Sequence, residues 1–215
     1  MRAPEPLDQS RWTGLWKRLG GRGDGLSILG GLKAAYAEPA RAYHTAEHIR
    51  DCLAQFDLSR PTAKRPDEVE AAIWFHDAVY VPGATDNEGR SARVAQASLA
   101  EAGAAMETAH RIAGLVLATQ HLALPSEPDA ALLCDIDLSI FGRTAEVFDE
   151  FEQRIRREYE WVPEQVYRSA RTEILEGFLG RRHIYQTDFF RERYEAAARS
   201  NLARIVKELG SHGSL

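Results

Sequence analysis

The feature that most constrains the fold is an apolar segment at residues 72–80, Ala-Ile-Trp-Phe-His-Asp-Ala-Val-Tyr, in which an imidazole and a carboxylate stand side by side. A buried polar group without a hydrogen bond costs roughly 2 to 7 kcal/mol, and an unpaired buried charge costs far more. His76 and Asp77 therefore need partners from elsewhere in the chain. The plainer alternative is a histidine that packs in the core and an aspartate that caps the next turn.

Two other segments carry side chains that commonly bind metals: residues 43–49, Tyr-His-Thr-Ala-Glu-His-Ile, and residues 134–138, Cys-Asp-Ile-Asp-Leu. On a regular helix His44 and His48, four residues apart, lie about 40° from each other and can face one site. Asp135 and Asp137 lie about 200° apart, so only one of them is expected to face that site.

Apolar residues recur at helical spacing along the whole chain, and no segment shows the alternation of a half-buried strand. With 215 residues, 44% of them hydrophobic, the chain is long enough for one buried core, so we expect one domain over residues 1–215. The predicted class is all-α. Helices are expected near residues 10–19, 26–37 and 43–56, from 67 through the His-Asp doublet, from about 88 to 99, and near 105–121, 129–140, 145–160, 164–179 and 188–209.

Charge and hydropathy narrow the classes of partner. The 27 basic and 32 acidic residues leave a formal charge of −5, which argues against a nucleic-acid partner. No apolar run approaches the ~18 residues of a membrane span, and no signal sequence is recognisable. Cys52 and Cys134 form no CxxC pair and are expected to be small buried hydrophobes. We therefore expect a cytoplasmic protein with no membrane partner.

The histidine and aspartate pattern resembles the HD superfamily of metal-dependent phosphohydrolases. The signature of that superfamily is one His, then a His-Asp doublet, then a distant Asp, all on helices. The matching positions here are His48, His76 with Asp77, and Asp137. The resemblance implies that these four residues bind a metal, and it favours Asp137 over Asp135 as the last ligand.

A second level of resemblance concerns the sequence around these ligands. The sequence is similar to a bacterial branch of predicted HD phosphohydrolases in three places: the Tyr43-His44 pair, the run 86–88 of Asp-Asn-Glu and the run 135–142 ending in Gly. The branch resemblance extends over nearly the whole chain. The ligand pattern itself covers only about residues 41–142. This implies an HD-like helical bundle with additional C-terminal helices at about 145–209.

The expected cofactor is one divalent transition metal ion, Mn, Fe, Co, Ni or Zn, because mixed nitrogen and oxygen ligands suit these ions better than Mg or Ca. Dinuclear HD proteins have two extra His ligands, with which His110 and His121 invite comparison. On a helix these two would stand about 16 Å apart along the axis, too far to bind one metal pair. The spacing therefore favours a single metal.

Several other residues are expected to face the site. Asp77 is predicted to act in catalysis as well as in metal binding. The residues predicted to move protons are Glu88, His121 and His44, although Glu88 could instead be a first-turn acid favoured by the helix dipole. The predicted substrate contacts are Arg41, Tyr43, Tyr80 and Asp135.

The resemblance implies an enzyme, a hydrolase of phosphoric esters that acts on a small phosphorylated substrate such as a nucleotide or related metabolite. One alternative is a non-catalytic helical module that binds a metal or a ligand. Another is an HD-type oxygenase, which needs two irons. The sequence leaves open whether the chain forms a homo-oligomer.

Overall fold

A computed structural model describes residues 7–211 and contains ten α-helices, with no strand in that range. The predicted all-α class is confirmed. Two short 3-10 helices cover Arg60–Thr62 and Leu138–Gly142. The α-helices are α1 Gln9–Arg18, α2 Leu26–Ala35, α3 Ala46–Ser59, α4 Pro66–Phe75, α5 Asn87–Glu101, α6 Met106–Ala118, α7 Pro128–Asp137, α8 Ala145–Glu158, α9 Glu164–Leu179 and α10 Asp188–Gly210.

The chain divides into two compact units, Met1–Cys134 and Asp135–Leu215, with the boundary inside α7. The expectation of one domain over residues 1–215 stays a prediction, and its first six and last four residues lie outside the described range. Between residues 7 and 211, no helix combines the length and the apolar character that a bilayer span requires.

The core of the first unit is built around α4. Every residue from Glu68 to Phe75 is buried, which explains why the run 71–75 at the end of α4 is apolar on every side. The Trp12 ring of α1 packs edge-on against Trp74 and Phe75, with centroid distances of 5.2 and 5.9 Å. Because α4 is central, the residues that follow its last turn begin inside the unit.

The second unit holds the 3-10 turn 138–142 against α10. The Tyr185 hydroxyl donates to the Leu138 carbonyl at 3.1 Å, and the Asn201 amide donates to the carbonyls of Phe141 and Arg143 at 2.9 Å each. At Gly142 a Cβ atom would stand 2.4 Å from the Tyr194 Cβ, so only glycine fits there. These contacts fix the chain directly after α7.

Candidate metal centre

Helix α3 places His48 in its first turn. The Thr45 side chain caps the helix by accepting a hydrogen bond from the Glu47 backbone N–H at 3.3 Å, so the helix begins at Ala46 and not near Tyr43 as predicted. The 40° relation between His44 and His48 therefore does not apply. His44 precedes the cap, but its ring centroid lies only 6.0 Å from the ring centroid of His48. His48 itself is 4% exposed.

His76 and Asp77 lie in the turn that follows α4, not within the helix as predicted. The Nδ1 atom of His76 lies 3.0 Å from the Ile73 carbonyl oxygen. A carbonyl oxygen can only accept, so Nδ1 carries the hydrogen, and in the neutral ring Nε2 then presents a lone pair. This is the tautomer that a metal-binding imidazole needs.

Three ligand atoms converge in the first unit. The Nε2 atoms of His48 and His76 are 3.1 Å apart, and the Asp77 Oδ2 atom lies 3.1 Å from His76 Nε2 and 3.6 Å from His48 Nε2. That oxygen is buried and accepts no hydrogen bond. Ligand atoms bound at about 2.1 Å to one transition metal are separated by about 3.0 to 3.4 Å. The two separations of 3.1 Å fall in this range and the one of 3.6 Å lies slightly above it, so a small movement of the Asp77 or His48 side chain would let all three atoms bind one metal ion.

The charge state of Asp77 also suits a metal ligand. Burial raises its pKa, but the nearby imidazoles of His76, His44 and His48 lower it further, and the net pKa lies well below the usual range of an aspartate. The carboxylate is therefore ionised, which is the form that binds metals.

Cys52 also belongs to the cluster. His48, Cys52 and His76 each offer a ligand atom, and these atoms, the metal-capable group, lie within 4.8 Å of one another. The Asp77 Oδ2 atom stands beside both imidazoles. Cys52 is buried, as predicted, but its position beside the two imidazoles was not predicted. The signal that could have revealed it is the four-residue spacing from His48, which puts both on one face of α3.

The two aspartates of α7 differ in their surroundings. The Asp135 carboxylate accepts hydrogen bonds from the backbone N–H groups of Gln186 and Thr187 and from the Thr187 hydroxyl, at 2.7 to 3.0 Å. The pKa of Asp135 is raised to about 6, because the effect of burial outweighs the opposite effect of these hydrogen bonds. Asp137 occupies the last position of α7, and its role as a metal ligand stays a prediction. A substrate contact of Asp135 stays a prediction, since its carboxylate binds residues 186–187.

Arg41 connects the segment before α3 to the His-Asp turn. Its buried guanidinium donates to the backbone carbonyls of Asp77 at 2.6 Å and His44 at 3.2 Å, and its Nε–H donates to the Glu38 carboxylate at 3.0 Å. These bonds make Arg41 a positioning residue for the site. Its predicted contact with a substrate stays a prediction.

Aromatic rings flank His48. The His44 ring stacks on Tyr80 with a centroid distance of 4.0 Å, and the Tyr43 ring lies 4.8 Å from the His48 ring. Tyr43, His44 and Tyr80 are all half-buried, so part of each remains accessible. The predicted roles of these three residues in substrate contact and proton transfer stay predictions.

The loop after the doublet is attached to α5 by two side chains. The Ser91 hydroxyl accepts from the Val79 N–H at 3.0 Å and donates to the Val79 carbonyl at 3.2 Å. The Asn87 amide does the same for Val81, at 3.0 and 3.1 Å. Glu88, half-buried in the first turn of α5, follows Asn87 directly, and its role in moving protons stays a prediction.

His110 and His121 are not in the metal-capable group, which is the single such group within residues 7–211. His110 is exposed on α6. Helix α6 ends at Ala118, three residues before the predicted end, and His121 has a left-handed backbone with φ 56°. The 16 Å separation assumed a helix through His121, so it no longer describes this pair. A proton-transfer role of His121 stays a prediction.

Comparison with known proteins adds no external support. No protein-family description, curated protein or solved structure matches this chain. The resemblance to the HD superfamily therefore stays a prediction. The metal centre is supported by its own geometry: two buried imidazoles, an ionised carboxylate and the buried Cys52 thiol beside them.

Proposed function

We propose that this protein binds one divalent transition metal at His48, His76, Asp77 and Asp137, and uses it to hydrolyse a small phosphoester. The observation that carries the proposal is the Asp77 Oδ2 atom. It is buried without a hydrogen bond, 3.1 and 3.6 Å from two imidazole nitrogens. A metal ion between these atoms would satisfy the oxygen and both nitrogen lone pairs at once.

A proton alone is a poorer occupant of this position. The His76 tautomer leaves Nε2 without a hydrogen in the neutral ring, and the His48 Nε2 atom faces it at 3.1 Å. A single proton could bridge only two of the three atoms, and the third would stay unsatisfied. Imidazole and carboxylate ligands together favour Mn, Fe, Co, Ni or Zn.

When bound, such a metal would polarise a phosphoryl oxygen and lower the pKa of a bound water, which supplies a nucleophile near neutral pH. The chain's own residues would do the rest. Arg41 holds the Asp77 turn in place through its backbone carbonyls. His44, Glu88 and His121 are the candidates for moving the proton, and the half-buried rings of Tyr43 and Tyr80 are candidates for contact with a base or sugar of the substrate. We propose a nucleotide or related phosphorylated metabolite.

One observation favours a second candidate, a helical module that binds a metal or a ligand without catalysis. The Arg41 guanidinium, next to the doublet, donates to protein carbonyls and to Glu38, so these donors already have acceptors. Phosphoester hydrolases usually supply cationic donors to the phosphoryl oxygens.

The oxygenase alternative needs two irons, and a count of iron per chain tests it. Cytoplasmic location and oligomeric state stay predictions.

The test is metal content of the purified chain, combined with phosphate release from a panel of nucleotides and sugar phosphates. We expect one metal per chain and release of phosphate that depends on it. Asp77→Ala should abolish release while the helical circular dichroism is retained. Absence of metal-dependent release from every compound, with metal bound, would favour the binding module.

A second arm examines Glu88. If Glu88 moves the proton, Glu88→Gln should lower turnover about a hundred- to ten-thousand-fold and leave metal affinity nearly unchanged. The matched control is Asp86→Asn, an exposed acid two residues earlier whose side chain makes no capping bond. Unchanged turnover in Glu88→Gln would contradict the assignment of Glu88.

A further inference from the structure

Cys52 stands beside the proposed ligands. Its Sγ atom lies 3.7 Å from both ring nitrogens of His48, and the residue is 3% exposed. It lies one turn further along α3 than His48, on the same face. The group of side chains able to hold a metal includes Cys52 together with His48 and His76.

The distance agrees with shared coordination. A zinc-like ion binds sulfur at about 2.3 Å and imidazole nitrogen at about 2.1 Å, so two such ligands at a tetrahedral angle are about 3.6 Å apart. The Sγ atom of Cys52 is 3.7 Å from His48 Nε2. Because Sγ is equally far from Nδ1, the sulfur lies over the ring face, and a rotation of the Cys52 or His48 side chain, without movement of α3, would bring it to an ion bound at Nε2.

The second cysteine has a different environment. Cys134 is also buried, but its Sγ donates to the Ala118 carbonyl at 3.3 Å, and it is not in the metal-capable group. Burial as a small hydrophobe explains Cys134 fully. It does not explain why the Cys52 sulfur lies beside the imidazoles of His48 and His76.

From this geometry we infer that Cys52 is an additional metal ligand, a thiolate, in an inference that rests on the proposed metal centre. On binding, the thiol releases its proton to water and the sulfur forms a bond to the metal. Thiolate is a soft ligand, so the site should prefer Zn or Cd over Mn to a greater extent than a site of imidazoles and carboxylates alone.

The test uses the full chain, stripped of metal by a chelator and reloaded with Co²⁺. Tetrahedral or five-coordinate cobalt gives visible absorption bands whatever its ligands, and a thiolate ligand adds a charge-transfer band in the near ultraviolet. We expect the charge-transfer band in the wild type and in Cys134→Ala, the matched control. We expect its loss in Cys52→Ala and in Cys52→Ser, which keeps nearly the same shape. Circular dichroism of both Cys52 variants verifies the fold.

Affinity gives an independent readout. Loss of a group that merely supports a ligand costs about 10- to 100-fold in metal affinity, so loss of a ligand should cost at least as much. Cys52→Ser should weaken Cd²⁺ binding about 100-fold or more and weaken Mn²⁺ binding much less. Equal effects on the two ions would overturn the inference.

The thiolate ligand and the metal centre can be disproved separately. Visible cobalt bands without a charge-transfer band in the wild type would overturn the thiolate and leave the metal centre intact. A charge-transfer band that survives in both Cys52 variants would overturn it as well. No cobalt uptake at all would overturn the metal centre itself. A Cys52-dependent band in a protein that hydrolyses no phosphoester would support the thiolate and contradict only the proposed hydrolysis.

Discussion

The Nδ1 atom of His76 lies 3.0 Å from the carbonyl oxygen of Ile73, three residues earlier in the same chain. The last turn of α4 thereby fixes both the tautomer and the orientation of the ring, and Nε2 is directed at His48 and Asp77. Metal-binding histidines commonly donate their second N–H to a carbonyl or carboxylate in this way. The backbone of α4 therefore prepares the imidazole as a ligand.

Substitution of His76 by Ala should abolish stoichiometric metal binding, because it removes the nitrogen that lies 3.1 Å from both His48 Nε2 and Asp77 Oδ2. His110→Ala, on the exposed side of α6, should bind as much metal as the wild type. Elemental analysis after dialysis measures both. Full metal content in His76→Ala would show that the pair of imidazoles does not bind the metal.

Metal addition should raise the melting temperature, because a ligand that binds only the folded state stabilises it by about 2.7 kcal/mol at a hundred times its Kd. Asp77→Asn should lose most of this shift, since it replaces the ionised carboxylate by an amide of the same shape. Scanning calorimetry with and without Zn²⁺ or Mn²⁺ measures the shift. Asp86→Asn, which changes an exposed acid, should keep it. Equal shifts in the two variants would contradict a role of Asp77 as ligand.

Arg41→Ala should lower the free energy of unfolding by about 3 kcal/mol or more, because hydrogen bonds to a charged group are worth about 1.5–3 kcal/mol each and the carbonyls of His44, Asp77 and Ala78 lose their donor. The control is Arg50→Ala, whose 3.3 Å ion pair with Glu47 is exposed and should be worth less than about 1 kcal/mol. Urea denaturation compares the two variants. Similar losses in both would mean that Arg41 does not hold the Asp77 turn.

Most helices follow from apolar periodicity, and the bounds of α9 agree with the predicted 164–179. The errors lie at helix ends, where local hydrogen bonds decide. Thr45 caps α3 and so delays its start. At the end of α6, the backbone N–H groups of residues 119–121 bond to carbonyls three residues earlier, and the Thr119 hydroxyl donates to Val116 at 2.7 Å. Neither the Thr45 cap nor these hydrogen bonds at the end of α6 can be inferred from the hydropathy pattern.

The site could be predicted from the sequence only in part. The need of His76 and Asp77 for partners follows from their apolar context, and His48 then follows from the family pattern. Cys52 could not be separated from an ordinary buried cysteine, because its role depends on which neighbours surround the sulfur. The choice between Asp135 and Asp137 depends on residues 186–187, about fifty positions away, and no local spacing reports such contacts.

Two side-chain bridges should protect individual amides of the loop after the doublet. Ser91→Ala should speed hydrogen exchange at the Val79 N–H, and Asn87→Ala should do so at the Val81 N–H, because each variant removes one acceptor. Each single change should leave the other amide protected. Exchange followed by nuclear magnetic resonance resolves the two positions. Simultaneous loss of protection at both would show that the loop opens as one unit.

The last prediction separates the two aspartates of α7. Asp135→Ala should lower the free energy of unfolding by about 3 kcal/mol or more, because three donors of Gln186 and Thr187 lose their acceptor and each unsatisfied group costs about 1–3 kcal/mol. Asp137→Ala should change stability in the absence of metal by less, since it is the proposed metal ligand and these three donors bind Asp135 instead.

Metal affinity should respond in the opposite order. Asp137→Ala should weaken binding strongly, whereas Asp135→Ala, measured at a temperature where it is folded, should retain nearly the wild-type affinity. Denaturation of the metal-free protein gives the free energy of unfolding of each variant, and a metal titration gives its metal affinity. If Asp135→Ala loses affinity while Asp137→Ala keeps it, the assignment of the two aspartates is reversed, and the ligand is the one whose carboxylate binds residues 186–187 in this structure.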